Sequence, residues 1–93
     1  MLVIIKSSPD TAEGKRGVKL ARDMAGDICL IQNAVYFAQK GRIEDFCGTA
    51  YVLDEDARLR GLKSEDIDKG IKEISYNGLV DLMVKEDKVV GMF

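Results

Sequence analysis

The chain has 93 residues, 46% of them hydrophobic and 32% charged, with a formal net charge of −2 and no histidine. That composition is one of folded proteins and excludes a disordered chain; the length is that of a single domain, residues 1–93. The near-neutral balance excludes the basic footprint of a protein that binds nucleic acid by itself, and the missing imidazoles remove the commonest general base and metal ligand.

A domain this short buries only about 60–65% of the surface its unfolded chain exposes, so association with another subunit adds stability. No apolar run reaches membrane-spanning length. The apolar start, Met1 to Lys6, is too short for a signal peptide and has no basic leader. Two cysteines without a secretory signal fit reduced thiols, and two alone do not build a structural zinc site. The expectation is a cytoplasmic protein with no membrane segment, no metal and no cofactor.

Leu2 to Ile5 is continuously apolar and reads as the first strand. Lys6-Ser7-Ser8-Pro9 closes it, because Pro9 disfavours helical geometry at Ser8. Asp10 followed by Glu13 resembles a capping box. It opens a helix to about Met24, with Val18, Ala21 and Met24/Ala25 spaced for one face. Gly14 and Gly17 loosen its first turns, and Gly26 fits a position just beyond its end.

Ile28 to Ile31 is the second strand. A strand apolar on both faces is covered on both, which favours the middle of a parallel sheet. Gln32-Asn33 halts it, and Asn33 is an N-cap candidate for a helix carrying Ala34, Phe37 and Ala38 and ending near Gly41. Arg42 to Gly48 is mixed and polar. Thr49 to Leu53 is the third strand. Asp54-Glu55-Asp56 then suits the start of a short helix, where the macrodipole favours negative charge, and Gly61 stops it. Ser64 to Asp68 is a helical turn, and Ile71 to Ile74 a weaker fourth strand. Ser75 caps a helix through Lys85 with Tyr76, Leu79, Val80 and Met83 on one face. Lys88 to Gly91 is a last short strand. This alternation predicts an α/β fold: a single layered domain with a small, mostly parallel sheet of four to five strands flanked by helices. Strand order cannot be read from the pattern.

In such sheets, ligands and partners meet the chain beyond the carboxyl ends of the strands. Ser7, Ser8, Gln32, Asn33, Asp54 and Asp56 belong to that end. Ser7, Ser8 and Asn33 suit hydrogen bonds to a ligand or to a partner backbone. Asp54 and Asp56 offer acid–base or hard-cation chemistry, although helix-start electrostatics explains them more simply. Cys29, in mid-strand, reads as a buried small hydrophobe. Cys47, in a loop beside Arg42 in sequence, is the more exposed thiol, but it enters at the amino end of the sheet. There is no G-x-G-x-x-G and no P-loop to hold a nucleotide.

Ile28 to Ala38 resembles the pattern Φ-L-L-Φ-Q/E-D/N-G-V-x-x-A of the TusB/DsrH family of small sulfur-relay proteins. Tyr51 to Leu62 is similar to that family's V-Y-x-L-x-x-D-x-x-A-R-G-L stretch, and Tyr76 to Leu82 to its Y-x-x-F-V-x-L helix. Lys6-Ser7-Ser8-Pro9 looks like its x-S-P turn, and the chain ends at Met92-Phe93 where the family often ends in Trp. The resemblance implies a small α/β subunit that joins DsrE/DsrF-like (TusD/TusC-like) sisters, or itself, in a persulfide relay. That relay feeds 2-thiolation of the tRNA wobble uridine in one branch and sulfur oxidation in another. It adds Arg60 and Tyr76 to the partner face. The first-helix cysteine of DsrH-type members falls near Val18 here, which has no thiol, and Ala34 stands where the family prefers Gly. The resemblance thus implies a non-catalytic, partner-docking subunit. The alternatives are a persulfide carrier using Cys47 and a small-ligand module at the strand ends.

Overall fold

The structure, a computed structural model, describes residues 1–43 and 46–92, with Met92 described by its backbone alone. Glu44 and Asp45 of the mixed polar segment, and Phe93 at the chain end, lie outside the described residues. Five strands form one parallel sheet: β1 (Leu2–Ile5), β2 (Asp27–Leu30), β3 (Ala50–Leu53), β4 (Ile71–Ile74) and β5 (Val89–Met92), in the order β4-β3-β2-β1-β5. β2 is the middle strand, as its unbroken apolar run requires. Val3 lies opposite Ile28, Ile28 opposite Ala50, and Ala50 opposite Ile71.

The pleat sends alternate residues to opposite faces. Val3, Ile5, Ile28, Leu30, Ala50 and Val52 build the larger core beneath α1 (Ala12–Asp23), a 3-10 helix (Gln32–Ala38) and α2 (Asp54–Leu59). Leu2, Ile4, Cys29 and Leu53 point to the other face, against Leu79 of α3 (Tyr76–Lys85). A second, short 3-10 turn, Ser64–Asp66, precedes β4.

Several local expectations are corrected. Thr11, not Asp10, caps α1: its hydroxyl accepts from the Gly14 N–H at 3.0 Å and donates to the Ser8 carbonyl at 2.7 Å. The early glycine of α1 is a packing requirement, since a Cβ on Gly14 would sit 2.3 Å from the Ser8 carbonyl oxygen. At the other end, the Gly26 N–H donates to the Ala21 carbonyl and the Ala25 N–H to that of Arg22, the two bonds of a Schellman motif. The left-handed residue of that motif is Ala25, at φ 52°. Met24 caps the helix and is 56% exposed, outside the buried face of Val18 and Ala21.

The segment after β2 is a 3-10 helix without a side-chain cap, so Asn33 is not an N-cap. The Ala34 N–H bonds both the Ile31 and Lys6 carbonyls, which ties the turn after β2 to the turn after β1. Ser75 does cap α3, accepting from the Gly78 N–H at 3.1 Å. The buried face of α3 is Leu79 with Leu82 beside it, however, and Tyr76, Val80 and Met83 stay exposed.

Candidate functional site

The carboxyl ends of β1, β2 and β3 carry a polar ridge. Its centre is a contact between the chain leaving β2 and the first turn of α2. The Gln32 N–H donates to Asp56 Oδ2 at 2.7 Å, a charge-assisted bond of the short kind. Arg60, one turn further along, donates through Nε to Asn33 Oδ1 at 3.1 Å and through Nη1 to the Asp56 carbonyl at 3.3 Å. Gln32 has φ 48°, a left-handed backbone unusual for a residue with a side chain. Such a conformation costs roughly 1–3 kcal/mol and persists only where neighbours hold it. Here the Asp56 carboxylate bonds its N–H, and the chain turns so that Ala34, Val35, Phe37 and Ala38 enter the larger core.

The charges suit their places. Asp54, Glu55 and Asp56 fill the first turn of α2, and Arg60 caps its end, each favourable to the helix dipole. The family-like Asp56 and Arg60 therefore share one small network with Gln32 and Asn33. Ser7 and Ser8 lie beyond the end of β1, where the Ser8 carbonyl is taken by Thr11. Tyr76 opens α3 beyond the end of β4, the edge strand, and is 62% exposed. Asp54 turns to a different neighbourhood: an open cleft of about 530 Å³ that it lines with Arg58, Leu62, Lys63, Ser64 and Glu73. The Ser64 hydroxyl donates to Glu73 Oε1 across it at 3.3 Å. Arg58, Lys63 and Glu73 were not legible as a group, because they come from α2, a loop and an edge strand that only the fold brings together.

The two cysteines occupy opposite settings. Cys29 is fully buried in β2, and burial first, then the negative charge of Asp56, pushes its thiol up to about 12. It stays protonated at neutral pH and is a poor nucleophile. Cys47 is exposed and precedes β3, at the amino end of the sheet. Val18, the position of the family's first-helix cysteine, is buried in α1 against the sheet. Among the described residues there is no cluster of His, Cys, Asp or Glu arranged to hold a metal, and no helix long and apolar enough to cross a membrane.

Fold and ridge together define a small parallel α/β protein with its polar contact surface at the carboxyl ends of its strands. The chain matches the family described as DsrH like protein over residues 8–89, and it belongs to that sulfur-relay family. Its structure is similar to the crystal structure of the ychN protein from E. coli, with a TM-score of 0.81, 15% identity and 97% of each chain covered; at that identity the likeness is one of fold. It is also similar to the solution structure of protein Tm0979 from Thermotoga maritima, with a TM-score of 0.71 and 27% identity over 95% of this chain and 97% of that one. No curated protein matches the chain.

Proposed function

We propose that the chain is a partner-docking subunit of a cytoplasmic sulfur-relay assembly. It joins DsrE/DsrF-like sisters, one of which carries the persulfide cysteine, and supports 2-thiolation of the tRNA wobble uridine or a related intracellular sulfur transfer. The observation that carries this reading is the setting of Cys29: the cysteine nearest the ridge is sealed in the core with a raised thiol pKa, so the ridge offers contact without chemistry. Gln32, Asn33, Asp56 and Arg60 supply that contact, with Ser7, Ser8, Asp54 and Tyr76 around them. The test is co-purification with sister subunits. Wild type forms a complex with them, and Arg60→Glu loses it while keeping its circular dichroism spectrum. A wild-type chain that captures no sister subunit at micromolar concentration overturns the proposal.

A second reading rests on the exposure of Cys47. A surface thiol accepts sulfur from a donor persulfide by thiolate attack on its terminal sulfur, releasing the donor thiol. Cys47→Ser decides it: a variant that takes up sulfur as well as wild type removes Cys47 from the relay. A small-ligand module would use Ser7, Ser8 and Asn33 at the strand ends, and none of these lines the cleft beside Asp54.

A further inference from the structure

The cleft beside Asp54 lies where the cover of the larger-core face runs out, next to the edge strand β4. α2 has only six residues, about 9 Å of helix. The chain after it turns at Gly61, with φ 77°, and sends Leu62 into the core instead of continuing as a helix. One row of side chains across this face shows the effect. Ile5 lies opposite Leu30, Leu30 opposite Val52, and Val52 opposite Glu73. The first three are fully buried, whereas the fourth is an exposed carboxylate that lines the cleft.

Four charged side chains share this opening. Asp54 and Arg58 come from α2, Lys63 from the loop after it, and Glu73 from β4. Asp54 and Arg58 have the spacing and the order that favour an ion pair along a helix. Yet among the described residues none of the four is in an ion pair. Glu73 takes only the Ser64 hydroxyl, at 3.3 Å, although a carboxylate has about four acceptor sites. Two cations and two carboxylates thus face one space of about 530 Å³ with their charges unpaired.

We propose that the cleft binds a short zwitterionic peptide, two or three residues long, with a free amine and a free carboxylate. A ligand of one sign is repelled by two of the four groups, whereas a ligand carrying both signs is complementary to all of them. Arg58 and Lys63 donate to the carboxylate, Arg58 with a fork suited to two parallel bonds. Asp54 and Glu73 accept from the ammonium group. The length follows from the wall: Asp54 and Arg58 are about 6 Å apart along the helix axis, and Lys63 lies beyond the helix end. Two or three extended residues reach about 7–11 Å, whereas a single amino acid carries both charges on one carbon. The volume falls within the roughly 300–1,000 Å³ of small-molecule sites, and Leu62 adds an apolar contact. Because the cleft is open and its charges are wet, binding is weak and falls with added salt.

This site is independent of the subunit reading, and its test leaves the capture of sister subunits untouched. The experiment is an NMR titration of the full chain with trialanine at low ionic strength, following the backbone amides. Saturable shifts are expected at Gly61 to Ser64 and at Glu73, with a Kd of about 1 mM. N-acetyl-trialanine and trialanine amide each lack one charge and bind about tenfold more weakly or worse. Glu73→Gln weakens trialanine and shrinks the cost of N-acetylation while leaving the cost of amidation unchanged. Arg58→Gln gives the reverse pattern. Both positions are exposed, and circular dichroism checks that the variants fold. Absence of saturable shifts up to about 10 mM overturns the proposal. So do blocked peptides that bind as well as trialanine, succinate that binds as tightly (an anion site only), or shifts confined to the Gln32–Asn33–Asp56–Arg60 network.

Discussion

Cys29 shows how a residue's place in the fold sets its chemistry. Its neighbours in sequence are apolar, which is enough to expect burial, and the thiol is indeed fully enclosed. The structure adds the nearby Asp56 charge, which raises the thiol further. In the native protein, alkylating reagents followed by mass spectrometry are expected to label Cys47 and leave Cys29 unmodified until denaturant is added. The raised value also makes a stability prediction. The unfolded thiol ionises near its ordinary value of 9.0, while the folded one waits until about 12. Between those values the unfolded state loses the proton first, so stability falls as pH rises, by up to about 1.4 kcal/mol per pH unit. Urea titrations at pH 8 and above should show a steeper decline in wild type than in Cys29→Ala. Asp56 has a role beyond starting a helix, because it satisfies the N–H of a left-handed Gln32. Asp56→Ala should therefore cost about 1–2 kcal/mol in chemical denaturation, and Asp56→Asn, which keeps an acceptor, less. That role was not visible in the sequence, since residues 32 and 56 meet only through the pairing of β2 with β3.

Among the elements, every strand was legible to within a residue or so: most are short apolar runs bounded by turn residues, while β4, Ile71-Lys72-Glu73-Ile74, has apolar residues only at its ends. Helix ends were read less well. The Asp10/Glu13 spacing suggested a cap, but the Ser8 carbonyl holds Thr11 one residue later. Two substitutions in α1 follow. Propensity alone makes Gly14→Ala stabilising by about 1 kcal/mol, yet the new Cβ would collide with backbone at Ser8. The close approach dominates, and a net loss of about 1–2 kcal/mol is expected from a urea midpoint. Ala25→Gly has the opposite sign. It relieves a left-handed alanine at the end of the helix and should raise stability by about 0.5–1 kcal/mol, visible as a higher melting temperature. For α3 the sequence placed Tyr76, Leu79, Val80 and Met83 on one face, and of these only Leu79 is buried. The helix carries two adjacent apolar stripes, and a helical wheel cannot say which one the sheet will take.

At the scale of the whole molecule, one sheet with β2 at its centre concentrates stability in a few side chains. Leu30 is completely buried in that strand, and Leu30→Ala should cost about 2–5 kcal/mol, a large fraction of what a chain of this size has to lose. Val89, half-buried on the edge strand β5, should tolerate the same truncation with a much smaller shift in the urea midpoint. The amino-acid sequence by itself determined the α/β alternation, the parallel sheet, the central place of β2 and the burial of Cys29. All of these follow from hydrophobic spacing and turn chemistry, which act over a few residues. Only the tertiary structure decided the strand order β4-β3-β2-β1-β5, the bonding of Gln32 and Asn33 to Asp56 and Arg60, and the exposed half of α3. Those depend on which distant segments the crossovers bring together, and on one helix having to span a sheet wider than itself.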